Sequence, residues 1–189
     1  ESMYGNLNGS GNIAIGLRAM KDAQNKDGII AIGDSTLLNN GIGASGIQGS
    51  ANTAIGSKAL YANSIGYENT AIGFEALKSN TVGAVNTAVG YRALRNNING
   101  VDNTAVGNSA LRENISGVHN IAVGEHALLT STTGDNNVVV GGHAAQNSNG
   151  SNNVIIGDKA MYNTANTASG VVAVGNKALY YNTHSDLVA

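Results

Sequence analysis

The chain has no cysteine, no proline and no tryptophan, and a single phenylalanine among 189 residues. Without cysteine there is no disulfide framework, no cysteine-ligated zinc and no thiol nucleophile. Charge is also scarce. Charged residues make up 12%, about half the usual share, and the net charge is −2. That balance excludes the basic footprint of a nucleic-acid-binding protein. No run of about 18 apolar residues occurs, so the sequence offers no membrane-spanning helix. Aromatic residues reach only 4%, which would fill a conventional globular core poorly. No signal sequence is visible, and a start at Glu1 suits a fragment or a processed product.

What the chain has is glycine, 26 in all, set among Ala, Ile and Val. Glycine is not every third residue, so collagen is excluded. Regularly recurring Ile, Val and Leu argue against disorder. Asn-Thr-Ala-(Ile/Val)-Gly stands at residues 52–56, 69–73, 86–90 and 103–107. Relaxed copies end at Gly16, Gly33, Gly124, Gly141, Gly157 and Gly175. The intervals between successive motif glycines run 17, 23, 17, 17, 17, 17, 17, 16 and 18 along the chain. The period is 17, with six extra residues within 39–50. One repeat domain therefore fills residues 1–189, with regular coils over about 12–182.

Fixed columns follow each motif glycine. The third residue after it is Ala in every copy but one, and the fourth is usually Leu, as at Leu60, Leu77, Leu94 and Leu111. The seventh is often Asn, from Asn40 to Asn182, and the tenth is Gly in the regular coils. Seventeen residues are too few for a two-helix repeat and suit one coil of an all-β solenoid. The β-branched segment before the glycine predicts a short strand. Asn and Gly supply corners, since both tolerate positive φ. The Ala-Leu segment is too short for a helix and predicts a second strand per coil.

Strand alternation separates two faces. Ile55, Ile72, Val89 and Val106 fall on one face, and Ala54, Ala71, Ala88 and Ala105 on the other. The first face is expected to fill the coil against the Leu60 column. The small face is expected to meet another copy of the chain around a tight symmetry axis.

These residues resemble the YadA-like head repeats of trimeric autotransporter adhesins, whose motif reads roughly Asn-Ser-Val-Ala-Ile-Gly followed by a small residue. The matching stretches are Asn52-Thr53-Ala54-Ile55-Gly56 and Asn69-Thr70-Ala71-Ile72-Gly73, with Ala59 and Ala76 following. The resemblance runs from about Asn12 to Leu179. It implies a left-handed parallel β-roll of about ten coils, homotrimeric, with aliphatic motif residues inside. It implies an extracellular adhesin head that attaches to a host surface protein or glycan. Two departures stand out: the family's common repeat is shorter than this one, and no stalk or anchor is present here. Similar arrays look like segments of phage and contractile injection-system tail fibres, where this chain would be a shaft or receptor-binding segment. An ice-binding solenoid is a third alternative, weakened because Thr53, Thr70, Thr87 and Thr104 cover only four coils.

Catalytic motifs are missing. No Ser/His/Asp constellation, phosphate loop or paired-carboxylate site is recognisable, so the chain is expected to be no enzyme and to take no cofactor. Four histidines are present: His119, His126, His143 and His184. His126 and His143 share one column in consecutive coils, but no third ligand accompanies them and no metal is expected. That column, second after the glycine, is mostly basic: Arg18, Lys58, Arg92, His126, His143, Lys159 and Lys177. It is a candidate stripe for acidic glycans or matrix proteins. The preferred reading of the same residues is a solvated outer corner, with Glu75 between Lys58 and Arg92 as a weak surface ladder. Phe74 and Tyr91, one column earlier, are candidates for a small sugar- or protein-binding patch. The recurring Asn52, Asn69 and Asn86 are expected to be scaffold, since stacked amides form ladders.

Overall fold

The computed structural model describes residues 2–6, 8–23, 25–162 and 167–181. Asn182 and His184 lie outside the described residues. Ten three-residue strands succeed one another: β1 Ile13–Ile15, β2 Ile30–Ile32, β3 Thr53–Ile55, β4 Thr70–Ile72 and β5 Thr87–Val89 in the first half. β6 Thr104–Val106, β7 Ile121–Val123, β8 Val138–Val140, β9 Val154–Ile156 and β10 Val172–Val174 complete the series. They form one parallel sheet in sequence order. The chain is thus an all-β solenoid, one strand per coil.

Register is column on column: Thr53 pairs with Thr70, Ala54 with Ala71 and Ile55 with Ile72. The six extra residues before β3 do not disturb it, for Ile30 still pairs with Thr53. They loop out instead. The buried Lys26 reaches into that loop and donates from Nζ to the carbonyl of Ala44 at 3.2 Å.

The second strand expected in each coil is absent from the described residues. The Ala-Leu segment is a run of tight turns. Ala59 N donates to Gly56 O at 3.1 Å, and Asn63 N to Leu60 O at 3.2 Å. Lys58 at φ 59° and Leu60 at φ 49° are both left-handed, which no strand accommodates. Coil-to-coil bonding persists nonetheless. Leu60 N donates to Ala76 O and Ala62 N to Lys78 O, each at 3.0 Å.

The two strand faces are the reverse of the expectation. Ala54, Ala71, Ala88 and Ala105 point inward and are fully buried. They meet the equally buried Ala59 and Leu60 columns, including Leu77, Leu94 and Leu111. Ile55 and Val89 are half-buried on the outside, and Ile72 and Val106 are exposed there. So short a coil is thin. The Leu column reaching across it is faced by a methyl in most coils, while Val139 fills the same inward position where Ala145 replaces the leucine, and Ile155 does so in the coil of Met161.

The other half of the interior is polar. Asn69 Nδ2 donates to Gly83 O at 2.9 Å and to Asn52 Oδ1 at 3.2 Å. Asn80 Nδ2 donates to the same Gly83 O at 2.9 Å and to Asn63 Oδ1 at 2.8 Å. Two asparagine ladders therefore flank a column of glycine carbonyls, all within the coil. Among the described residues neither Asn column uses positive φ. Burying these amides is tolerated because nearly every lone pair and proton finds a partner. The scaffold role expected of Asn52, Asn69 and Asn86 holds, but through hydrogen bonding and not through backbone conformation.

Candidate functional site

Two outer surfaces carry side chains that the fold does not consume. The first is the outward face of the sheet. Its two columns are Thr, Ile or Val in all ten strands, with no charge anywhere. Ile15, Ile72, Val106, Val140, Ile156 and Val174 are exposed along it. Phe74 and Tyr91 stand just beyond β4 and β5, 41% and 46% exposed. Their rings stack with centroids 5.6 Å apart and planes 12° apart. In-register pairing sets this contact, because it puts the same column one strand spacing away.

The second surface is the turn edge that begins at the second residue after each motif glycine. All ten residues of that column have left-handed φ between 52° and 59°. The tight turns aim their side chains outward, but they do not form one basic stripe. Ser35, Glu75 and Ser109 are buried and interrupt it. Arg18 lies 3.9 Å from Asp34 at the exposed N-terminal end. Lys58 and Lys177 make no ion pair among the described residues.

Glu75 organises the middle of the edge, and not as a rung between Lys58 and Arg92. Lys78 Nζ donates to its Oε1 at 2.7 Å, while Arg92 Nε and Arg95 Nε donate to Oε2 at 3.1 and 2.8 Å. Burial pushes the Glu75 carboxyl up. The hydrogen bonds and positive charges of Lys78 and Arg95 outweigh that and hold it down at about 2. Arg92 also sits over the Tyr91 ring, its Cζ 4.8 Å from the centroid. One coil on, Arg112 Nε donates to Glu113 Oε1 at 2.6 Å.

His126 and His143 do meet, edge to face, at 5.1 Å between centroids. His143 Nδ1 is hydrogen-bonded to Gln146 Oε1 at 2.7 Å, and Tyr162 packs on its ring at 6.0 Å. Among the described residues no group of three or more His, Cys, Asp or Glu converges as a metal site would require. Lys159 lies in the next coil, beside neither the arginines nor Glu75.

Sequence reasoning missed Lys78, Arg95 and Arg112, which stand fifth after the glycine. A signal was present: a tight turn brings residues three apart together, so the second and fifth columns share one edge. No pocket opens among the described residues, whose candidate side chains all stand on open surface. No protein-family model, curated protein or solved structure matches the chain.

Proposed function

We infer that this chain is a non-enzymatic segment of a trimeric extracellular attachment fibre, an adhesin head built as a left-handed β-roll. One observation carries the inference: the exposed face of the ten-stranded sheet is uncharged from end to end. Nine strand intervals at ~4.8 Å make this strip about 43 Å long. An uncharged, largely aliphatic strip of that extent, broken by Thr in four strands, supports an interaction surface. Further copies of this chain are its proposed partner: the same uncharged columns repeat along the whole rod, and cyclic closure would cover them. The contact surface is the Thr/Ile/Val face and not the alanine face, which the solenoid interior consumes. Trimerisation triplicates whatever the turn edge binds, turning weak single contacts into avidity at a host surface.

Light scattering over a range of concentrations tests this. A stable mass near three times the 19.1 kDa of one chain is expected. Ile72→Lys together with Val89→Lys, both on the outer face, should give a folded monomer with unchanged circular dichroism. A folded, wild-type monomer at every concentration would overturn the trimer and favour a role for the half-buried column of Thr53, Thr70, Thr87 and Thr104. Thermal hysteresis would then be the measurement to make.

A further inference from the structure

The turn edge beside β4, β5 and β6 is more organised than a solvated corner needs to be. Three guanidinium groups are each fastened through the Nε side. Arg92 and Arg95 hold Glu75, and Arg112 holds Glu113. Asn96 bridges the two centres, accepting from Arg95 Nη1 at 2.9 Å and donating to Glu113 Oε2 at 2.5 Å. Anchoring by Nε leaves the terminal nitrogens of Arg92 and Arg112 without a hydrogen-bond partner among the described residues. A fixed guanidinium with its outer edge free is the geometry that grips a carboxylate bidentately. Four cations, Lys78 among them, outnumber the two carboxylates here, although the whole chain is slightly acidic.

Apolar surface lies alongside. Tyr91 is joined to this cluster by Arg92 and to Phe74 by ring stacking. The residues before and after the pair in that column are Ser57 and Asn108, both small. The two rings therefore form an isolated exposed ridge next to the free guanidinium edges.

We propose that Phe74, Tyr91, Arg92, Arg95 and Arg112 form a binding surface for an acidic polysaccharide whose sugar rings bear carboxylates. The proposal deepens the attachment role above and rests on it. The ridge offers apolar contact to the C–H faces of the sugars, and the arginines take the carboxylates. An open surface with no cavity suits a polymer chain laid along it. Arg95 and Arg112 are equivalent residues of successive coils, so the cations repeat at about the strand spacing. A polyphosphate chain fits less well, since nucleic-acid affinity comes from neutralising many phosphates and this patch offers few cations. An extended peptide finds no free strand edge here, because β4, β5 and β6 are paired on both sides.

The test is titration calorimetry of the intact chain with polygalacturonate, with neutral dextran and an oligothymidine as comparison probes. Binding to polygalacturonate, weakening with salt, and none to dextran is the expected result. Arg112→Gln and Tyr91→Ser should each weaken binding at least tenfold. Lys159→Gln, on the same edge but away from the cluster, should leave it unchanged. Circular dichroism on each variant separates lost binding from lost folding. Absence of polygalacturonate binding by the folded chain would overturn the proposal. So would equal binding of dextran, tighter binding of oligothymidine, or full affinity in both folded cluster variants. Light scattering on the same samples keeps the two inferences apart. A trimer that ignores polygalacturonate sinks this one alone, and a monomer that binds it sinks only the trimer.

Discussion

Val85 places a β-branched side chain at φ 59°, a conformation such residues rarely adopt. Equivalent positions in other coils include Gly11, Gly28, Asn136, Asn152 and Gly170, all suited to it. Val85 is also 41% exposed, so little packing repays the strain. Val85→Asn should therefore raise unfolding stability by about 1 kcal/mol, read as a higher urea midpoint at fixed protein concentration. A lower midpoint would mean that the valine packs in a way its exposure belies. The motif glycines are a different case. Gly56 has φ 128°, and a Cβ there would lie 2.5 Å from Gly73 O in the next coil. The tenth-position glycines have ordinary φ. Gly66, for instance, is required because a Cβ would run into the Gly83 carbonyl and the Asn63 amide. Sequence spacing revealed both glycine columns, but it could not tell conformational need from lack of space.

The element of this fold is the coil, and each coil is held to the next by asparagine rungs as much as by its strand. Asn97 Nδ2 donates to Asn80 Oδ1 at 2.8 Å and to Gly100 O at 3.1 Å, while Asn97 Oδ1 accepts from Asn114 at 2.7 Å. Asn114 is the end of that ladder. The next coil has Ser131 in its place, and the buried Asn114 Oδ1 accepts no hydrogen bond. Asn97→Ala thus removes three bonds and Asn114→Ala two. Asn97→Ala should cost about 3 kcal/mol, and Asn114→Ala about 1 kcal/mol less. Urea unfolding of both variants measures the difference. Equal costs would mean that the rungs act singly and not as a ladder. The strand of each coil was legible because β-branched residues and in-register spacing are local signals. The turn run after it was not. Leu60 and its equivalents take left-handed φ without being Gly or Asn. That conformation is imposed by stacking against neighbouring coils, which propensity does not encode. The face assignment failed for a similar reason. Alternation identified Ala54 and Ile55 as opposite-facing, but which of the two turns inward depends on the path of the chain around the coil, which alternation does not encode. At the turn edge the second column was legible, whereas the Glu75 cluster depends on a fifth column that turn geometry folds onto it.

At the scale of the molecule, each strand touches only its immediate neighbours in the sheet. A solenoid of this kind gains stability as a sum over coils and interfaces, so whole coils are removable units. Deleting residues 87–103 would join Asn86 to Thr104, restoring the sequence Asn-Thr-Ala-Val-Gly across the junction. Asn69 Oδ1 would still receive the Asn86 amide, and Thr70 would still stack on the strand that follows. The shortened chain should fold with unchanged circular dichroism per residue. Its urea m-value should fall by about a tenth, in proportion to the area lost. Deleting residues 87–95 instead leaves a half coil that returns the chain to the wrong side of the sheet. That variant should lose β-structure beyond the junction. The whole-coil deletion also removes Tyr91, Arg92 and Arg95 while sparing the outer Thr/Ile/Val face elsewhere. A rod that folds, keeps its oligomeric state and no longer binds polygalacturonate would separate the proposed assembly surface from the proposed binding edge. If that deletion unfolds the protein instead, stability is not distributed coil by coil, and the ladders must couple over more than one neighbour.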